Sequence, residues 1–231
     1  MADIYLIPVT LGGSDPGMVV PCKVTGITSR LRCFIVEEVR SARRYLRSID
    51  RHFPVDDCVF FELNEHTGDE ELEDFLKPVM AGTDTGLMSE AGLPCLADPG
   101  AKITRLAHMR GIRVIPLSGP SSIILALIAS GFNGQNFTFN GYLPVRTGDR
   151  IARIRELEKK SREGVTQIFM ETPYRNGKMF DSIIETCNSN TLLCVAADIT
   201  LSTEFIRSMR ISEWKKNRPQ LDDRPAVFIL G

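Results

Sequence analysis

The chain has 231 residues, of which 43% are hydrophobic and 25% are charged, and its 28 lysines and arginines nearly cancel its 29 aspartates and glutamates. This balance is that of an ordinary globular protein, and it excludes a global positive field that would draw the whole chain to nucleic acid or to an anionic membrane. A nucleic-acid substrate would therefore need a local basic patch. The length favours two α/β domains over one.

The amino-terminal segment, MADIYLIPVT, has no basic flank, and its apolar run is too short for a secretory signal. No apolar run approaches the roughly 18 residues that cross a bilayer. The six cysteines are scattered, with no C-x-x-C pair and no histidine at ligand spacing. These features predict a cytoplasmic protein with reduced thiols, no metal site and no membrane partner.

The first half of the chain alternates short apolar runs with helical patterns, which predicts a mostly parallel sheet. The predicted strands cover residues 3–9, 32–36, 57–63, 86–88 and 112–117. The predicted helices cover residues 37–46, 69–80, 100–110 and 123–130. The last of these helices is apolar all round, and we expect it to be buried.

Two stretches, 83–100 and 112–131, place small residues, glycine and proline directly after an apolar run. Such turns reverse the chain tightly or let the backbone approach a ligand closely. Each precedes a helical pattern, whose free N–H groups and positive dipole end favour a polar ligand. The two stretches therefore predict a small-ligand site. The glycine-rich loop 10–17 matches no nucleotide-binding motif and is equally well a plain turn.

Acidic and basic residues follow the second predicted strand, at Glu37, Glu38 and Arg40. Carboxylates in a first helical turn usually complement the dipole, but ligands of open α/β sheets also bind at the carboxyl ends of strands. Four arginines share helical spacing from there on: Arg40, Arg43, Arg44 and Arg47. They form either a phosphate contact or a solvated helix face.

His66 stands between Glu65 and Thr67 after the third predicted strand. A histidine placed between an acid and a hydroxyl is a candidate for proton transfer. Alternatively, the segment is a turn in which Thr67 and Glu70 form a capping box for the next helix.

The second half is predicted to form a mixed sheet, because its strands are short and closely spaced. Its strands cover 137–142, 165–170, 191–197, 205–210 and 226–230, and its helices include 149–162 and 212–214. We place the domains at residues 1–117 and 118–231. The helix 149–162 is the densest basic segment, and it is either a site for an anionic polymer or a face of internal ion pairs.

Several motifs occur in the order and spacing of a known family. They include IYLIPVTLGG, VEEVRSARRYL, MSEAGLPCLADPG, PLSGPSS, IFMETPYRN and AADIT. The chain resembles the tetrapyrrole methylase superfamily of S-adenosylmethionine-dependent methyltransferases, and within it the branch that 2'-O-methylates a cytidine of small-subunit ribosomal RNA. The resemblance covers nearly the whole chain. It implies two α/β domains with the cofactor in the cleft between them, and a homodimer.

The resemblance also implies roles for individual residues. The counterparts of the family's cofactor contacts are Pro8, Ser89, Gly92, Leu93, Ser121, Ser122, Glu171, Ala197, Pro225 and Ala226. A ribose hydroxyl must lose a proton as it attacks the methyl group, so a base nearby assists. The candidates for catalysis are Glu38, His66 and Glu171, with Arg40 and Arg175 positioning phosphate.

The chain departs from the RNA-modifying branch where residues would face the substrate. It reads V-T-L-G-G where that branch has T-P-I-G-N, and E-E-V-R where that branch has E-D-T-R. Two alternatives to an RNA methyltransferase therefore stay open. One is an enzyme that methylates a tetrapyrrole-like small molecule, and the other is a non-catalytic relative that binds cofactor or RNA.

Overall fold

The computed structural model describes residues 2–13, 15–64 and 66–231. The chain divides into two compact units, Met1–Ser121 and Ser122–Gly231, where the sequence had suggested a boundary after Leu117. Among the described residues, no helix combines the length and the apolar character that crossing a membrane would require.

The first unit is a parallel sheet with intervening helices. Its strands are β1 (Asp3–Leu6), β2 (Cys33–Val36), β3 (Val59–Glu62), β4 (Thr85–Met88) and β5 (Arg113–Pro116). Its helices are α1 (Cys22–Thr28), α2 (Val39–Ile49), α3 (Asp69–Met80) and α4 (Gly100–Met109). The strand order is β3-β2-β4-β1-β5, and every pair is parallel. The carboxyl ends of all these strands therefore lie at one edge, as the prediction of a parallel sheet required.

Apolar side chains cover both faces of this sheet, which is why β2 and β4 are buried along their whole length. On one face Ile35 and Leu87 pack in a core with Leu76 of α3. On the other face Phe34 packs in a core with Leu46 of α2. Successive residues of β2 thus serve opposite cores, as the alternation of side chains in a strand dictates.

The second unit carries a mixed sheet. Its elements are α5 (Ser122–Ser130), β6 (Phe137–Tyr142), α6 (Thr147–Arg162), β7 (Thr166–Met170), α7 (Asn176–Thr186), β8 (Leu192–Ala197), β9 (Phe205–Arg210), α8 (Ile211–Trp214) and β10 (Ala226–Leu230). The order is β6-β7-β10-β8-β9, in which only β6 and β7 pair in parallel. The predicted mixed sheet is confirmed.

The core of the second unit is built around its single tryptophan. The Trp214 side chain is 1% exposed, and its ring lies edge-on to Phe180 with centroids 5.6 Å apart. Its indole N–H donates a 3.0 Å hydrogen bond to the carbonyl oxygen of Leu193, so the buried polar atom is satisfied.

Two local expectations were wrong. Helix α5 is not buried all round, because Ile128 is 70% exposed while Ile123 and Leu127 face the core. The start of α3 also differs from the predicted capping box of Thr67 and Glu70, because the N-cap is Gly68, which has no side chain, and only the carboxylate half of a box is present. Helix α3 begins at Asp69, so the residue whose carboxylate reaches back is Glu71, which accepts a 3.1 Å hydrogen bond from the amide of Gly68.

Candidate functional site

Three loops meet at the carboxyl edge of the parallel sheet, after β1, β4 and β5. The amide of Val9 donates a 2.9 Å hydrogen bond to the carbonyl oxygen of Gly92, and the amide of Gly92 donates one of 3.4 Å to that of Thr10. On the other side, a Cβ atom added to Gly119 would stand 2.1 Å from Cβ of Pro8. The loop after β1 therefore lies between the other two loops and contacts both. Only glycine fits at position 119.

The loop after β4 has an unusual backbone. Gly92 has φ of +73°, and the non-glycine residues Cys95 and Ala97 also lie in the left-handed region, at +69° and +66°. Such conformations cost free energy and persist where the surroundings hold them. Here Asp98 holds the loop, because its Oδ1 accepts hydrogen bonds from the amides of Cys95 at 3.0 Å and Gly100 at 2.7 Å.

Acidic side chains gather beside this loop. The second oxygen of Asp98, Oδ2, is buried and has no hydrogen-bond partner among the described residues. Glu37, at the end of β2, accepts a 3.2 Å hydrogen bond from the amide of Glu90. Burial raises the pKa of Glu37 above its ordinary value; the hydrogen bond from the Glu90 amide opposes this shift, and the nearby charges of Asp98 and Glu90 add to it. A cavity of about 10 Å³ lies among Glu37, Ser89 and Asp98.

Glu38, the neighbour of Glu37, has a different environment. It is the N-cap of α2, and its two carboxylate oxygens accept hydrogen bonds of 2.7 Å each from the amides of Arg40 and Ser41. Desolvation acts to raise its pKa, but these hydrogen bonds outweigh it and hold the pKa below its ordinary value. This carboxylate already has a capping role, and Arg40 beyond it is exposed.

The remaining candidates of the first unit are less informative. His66 is exposed after β3, and its backbone amide donates a 2.9 Å hydrogen bond to Oδ1 of Asn64, while Glu65 lies outside the described residues. Ser89 donates a 3.3 Å hydrogen bond from Oγ to the carbonyl oxygen of Ala91. Leu93 is half-buried and Ser121 is buried. The roles of these residues stay predictions.

In the second unit, candidates that are distant in sequence share one edge of the mixed sheet. Ala197, at the end of β8, pairs with Ala226 at the start of β10, and the amide of Asp198 donates a 3.0 Å hydrogen bond to the carbonyl oxygen of Pro225. Residue 227 in turn pairs with the end of β7, directly before Glu171. Ser122 opens α5, which packs against β8, β9 and β10.

Glu171 is the most buried carboxylate of this edge, with 2% of its side chain exposed. Its Oε1 accepts hydrogen bonds of 2.7 Å from Nη2 of Arg175 and 2.7 Å from the amide of Thr172. Next to it, Asn176 is fully buried and donates from Nδ2 to the carbonyl oxygen of Arg224 at 2.6 Å, while its Oδ1 has no partner among the described residues. Glu171 and Arg175 are thus brought together, as an ion pair.

The structure also adds candidate site residues that were not selected from the sequence. Glu37 was passed over for Glu38, and neither Asp98 nor Gly119 was singled out, although all three lie in the motifs that carry the resemblance. The signal was present in those motifs. The sequence does not show which side chains of these motifs the fold buries.

No protein-family model matches the chain. Among curated proteins it is 26% identical over 210 residues to the ribosomal RNA small subunit methyltransferase I of Vibrio cholerae, covering 91% of this chain and 69% of that protein. It is 30% identical over 177 residues to that of Pseudomonas aeruginosa, covering 77% and 60%. It is 26% identical over 230 residues to that of Escherichia coli O157:H7, covering 98% and 77%. The chain thus spans 60% to 77% of these relatives.

Among solved structures, the methyltransferase CobJ superposes with a TM-score of 0.65 at 14% identity, covering all of this chain and 94% of that one. The fold is therefore that of a known methyltransferase. The chain belongs to the tetrapyrrole methylase superfamily, and its relatives there are the ribosomal RNA small subunit methyltransferases I.

Proposed function

We propose that this protein is an S-adenosylmethionine-dependent methyltransferase that methylates the 2'-oxygen of a cytidine ribose in small-subunit ribosomal RNA. The observation that carries the proposal is the convergence of the three loops after β1, β4 and β5 on one edge of the sheet. The names of the relatives support the reaction and the substrate.

The residues at this edge fit the cofactor. Gly92 and Gly119 let the three loops approach one another closely, because a Cβ atom would stand 3.1 Å from Cδ2 of Leu11 at the first position and 2.1 Å from Cβ of Pro8 at the second. The carboxylates of Glu37 and Asp98 suit a ligand that carries a sulfonium and an ammonium charge, and the unpartnered Oδ2 of Asp98 is an acceptor without a donor. When bound, the cofactor supplies a methyl group that its sulfonium has already activated.

The residues of the second unit that the resemblance implicates are kept in the proposal as cofactor contacts. They are Ser122, Glu171, Ala197, Pro225 and Ala226, and the last four lie at one edge of the mixed sheet.

Proton removal from the ribose hydroxyl is the step for which this chain must supply a side chain. A general base works best when its pKa lies near the working pH. Two neighbouring carboxylates with pKa values shifted in opposite directions indicate different roles. Glu37 has the raised pKa and Glu38 the lowered one, so we assign the base to Glu37. Three alternative bases were proposed from the sequence, Glu38, His66 and Glu171. Each is tested by measuring the methylation rate after substitution of the glutamate by glutamine or of the histidine by asparagine.

Two experiments test the proposal. Isothermal titration with S-adenosylmethionine and with its demethylated product should show binding of both, and binding of neither would contradict the assignment of cofactor. Ribose methylation is then mapped in ribosomal RNA from cells with and without this protein. Loss of one methylated cytidine in the small subunit is the expected result, and an unchanged map would contradict the substrate.

A homodimer in the cytoplasm is part of the same proposal. The exposed apolar face of α5, at Ile124 and Ile128, supports association between copies. The free state of all six cysteines supports a reducing compartment. Sedimentation equilibrium of the purified protein tests the first point, and fractionation of cells tests the second.

A further inference from the structure

Helix α2 has one apolar face and one arginine face. Ala42, Tyr45 and Leu46 are buried on the first. The second lines an open groove of about 550 Å³. The residues that line it are Glu38, Val39, Arg40, Arg43, Arg44, Arg47 and Asp56. Four guanidinium groups thus face two carboxylates across one surface, on a protein whose net charge is -1.

The two carboxylates are already engaged. Glu38 accepts hydrogen bonds from backbone amides with both oxygens. Asp56 pairs with Arg43, and its Oδ2 lies 3.9 Å from Nη2 of Arg47. By contrast, Arg40 and Arg44 are exposed and form no ion pair with any residue that the structure describes. With four arginines and two carboxylates in its lining, the groove holds an excess of positive charge.

We propose that this groove binds the sugar-phosphate backbone of the RNA substrate, an inference that rests on the proposed function. Arg40 and Arg47 are seven positions apart on the helix, which is about 10 Å at the rise of an α-helix. That length suits about three successive phosphates of a nucleic-acid strand rather than one free anion. One guanidinium group can donate two parallel hydrogen bonds to two oxygens of the same phosphate, and this geometry fixes the position of the RNA strand.

The place of the groove in the fold fits this role. Helix α2 begins just after the carboxyl end of β2, where Glu37 lies. A strand of RNA held along α2 would therefore be anchored beside the edge that carries the candidate base. Because the protein as a whole is nearly neutral, a local patch such as this one is needed to attract a polyanion, and in the other basic segment, helix α6, Arg153, Lys160 and Arg162 are paired with glutamates of the same helix.

The test is to measure binding of a small-subunit ribosomal RNA transcript to the whole protein at several salt concentrations. The variant Arg40→Gln/Arg44→Gln should bind about tenfold more weakly, with a salt slope smaller by about 1.4 to 1.8, since each phosphate contact contributes about 0.7 to 0.9. The control Lys102→Gln/Arg105→Gln removes the same charge from exposed positions of α4. It should bind as the wild type does. Titration of the cofactor verifies that both variants are folded.

For a second variant we expect RNA binding to become tighter instead of weaker. Asp56→Asn removes the carboxylate that competes with phosphate for Arg43 and Arg47, so RNA should bind more tightly and with a steeper salt slope. A general loss of folding cannot produce that result.

The outcomes separate the two proposals. If the wild type binds and methylates RNA while the arginine variant binds like its control, the groove is wrong and the proposed function stands. If the wild type binds cofactor but neither binds nor methylates RNA, both proposals fail.

Discussion

The phenolic hydroxyl of Tyr45 donates a 2.7 Å hydrogen bond to the carbonyl oxygen of Pro8. Tyr45 lies on the apolar face of α2, and Pro8 lies in the loop after β1. Burial raises the pKa of Tyr45, so the hydroxyl keeps its proton and remains a donor throughout the physiological range. Helix α2 thus holds the loop on which the candidate cofactor site is built.

Tyr45→Phe should weaken both the fold and the site. The carbonyl oxygen of Pro8 would lose its donor in a buried position, so we expect the free energy of unfolding to fall by about 1 to 2 kcal/mol. Cofactor affinity should fall several-fold because the loop is less well held. Urea denaturation and isothermal titration measure the two effects. The control is Tyr174→Phe, since Tyr174 is 68% exposed. Equal behaviour of the two variants would refute the role of the hydrogen bond.

Gly119→Ala should reduce both cofactor binding and stability. The new Cβ would stand 2.1 Å from Cβ of Pro8 and 2.4 Å from its Cγ, and a proline ring cannot rotate away. The loops after β1 and β5 must therefore separate, and we expect the dissociation constant of the cofactor to rise at least about tenfold. Gly26→Ala is the matched control, because its Cβ would meet nothing within 4 Å. In helix α1 it should stabilise the protein by about 0.5 to 1 kcal/mol. Unchanged titration of the Gly119 variant would contradict the close approach.

Glu37→Gln should lower the rate of methylation by a factor of about 10² to 10⁴, the usual contribution of a general base. The wild-type rate depends on ionised Glu37, whose pKa is raised above 4.5. Activity should therefore rise with pH through that raised pKa and level off above it. The variant should lose this acid limb. Glu62→Gln, at the exposed end of β3, serves as control. A pH profile that is identical in wild type and Glu37→Gln would exclude Glu37 as the base.

Arg175→Ala should destabilise the second unit. It leaves the carboxylate of Glu171, 2% exposed, without its ion-pair partner. Breaking fully buried pairs costs about 3 to 5 kcal/mol, and since 26% of the Arg175 side chain is exposed we expect about 2 kcal/mol. The double variant Glu171→Gln/Arg175→Ala should recover part of that loss. Urea denaturation of both single variants and the double variant gives the coupling free energy, and a coupling near zero would show that the pair is not structural.

The positions of strands and helices could be predicted because apolar periodicity and breakers act locally. Strands β6, β9 and β10 and helix α3 have the predicted bounds. Helix α1 was not predicted, since its sequence, CKVTGIT, has a central glycine and few strong helix formers. The exposure of Ile128 was not predictable either, because an apolar helix carries no mark of which face lacks a partner.

The candidate site, too, has features that could be predicted from the sequence and features that could not. The motifs, with their glycines and prolines, already indicated a ligand at the turns after β4 and β5, because the backbone conformations those turns need are local properties. Glu37 and Glu38 are adjacent identical residues, and nothing local distinguishes their carboxylates. The fold distinguishes them, because Glu37 is half-buried beside Asp98 and Glu90, whereas Glu38 accepts hydrogen bonds from the backbone amides that open α2.

The amino-acid sequence by itself determined the α/β class, the parallel first sheet, the mixed second sheet and membership of a methyltransferase superfamily. Only the tertiary structure decided which charges are buried, which are paired and which are left over. The arginines of α2 show why: their spacing was visible from the start, but whether Asp56 and Glu38 neutralise them depends on distances between elements. Burial and pairing energies arise from such non-local contacts, and these set the chemistry of the site.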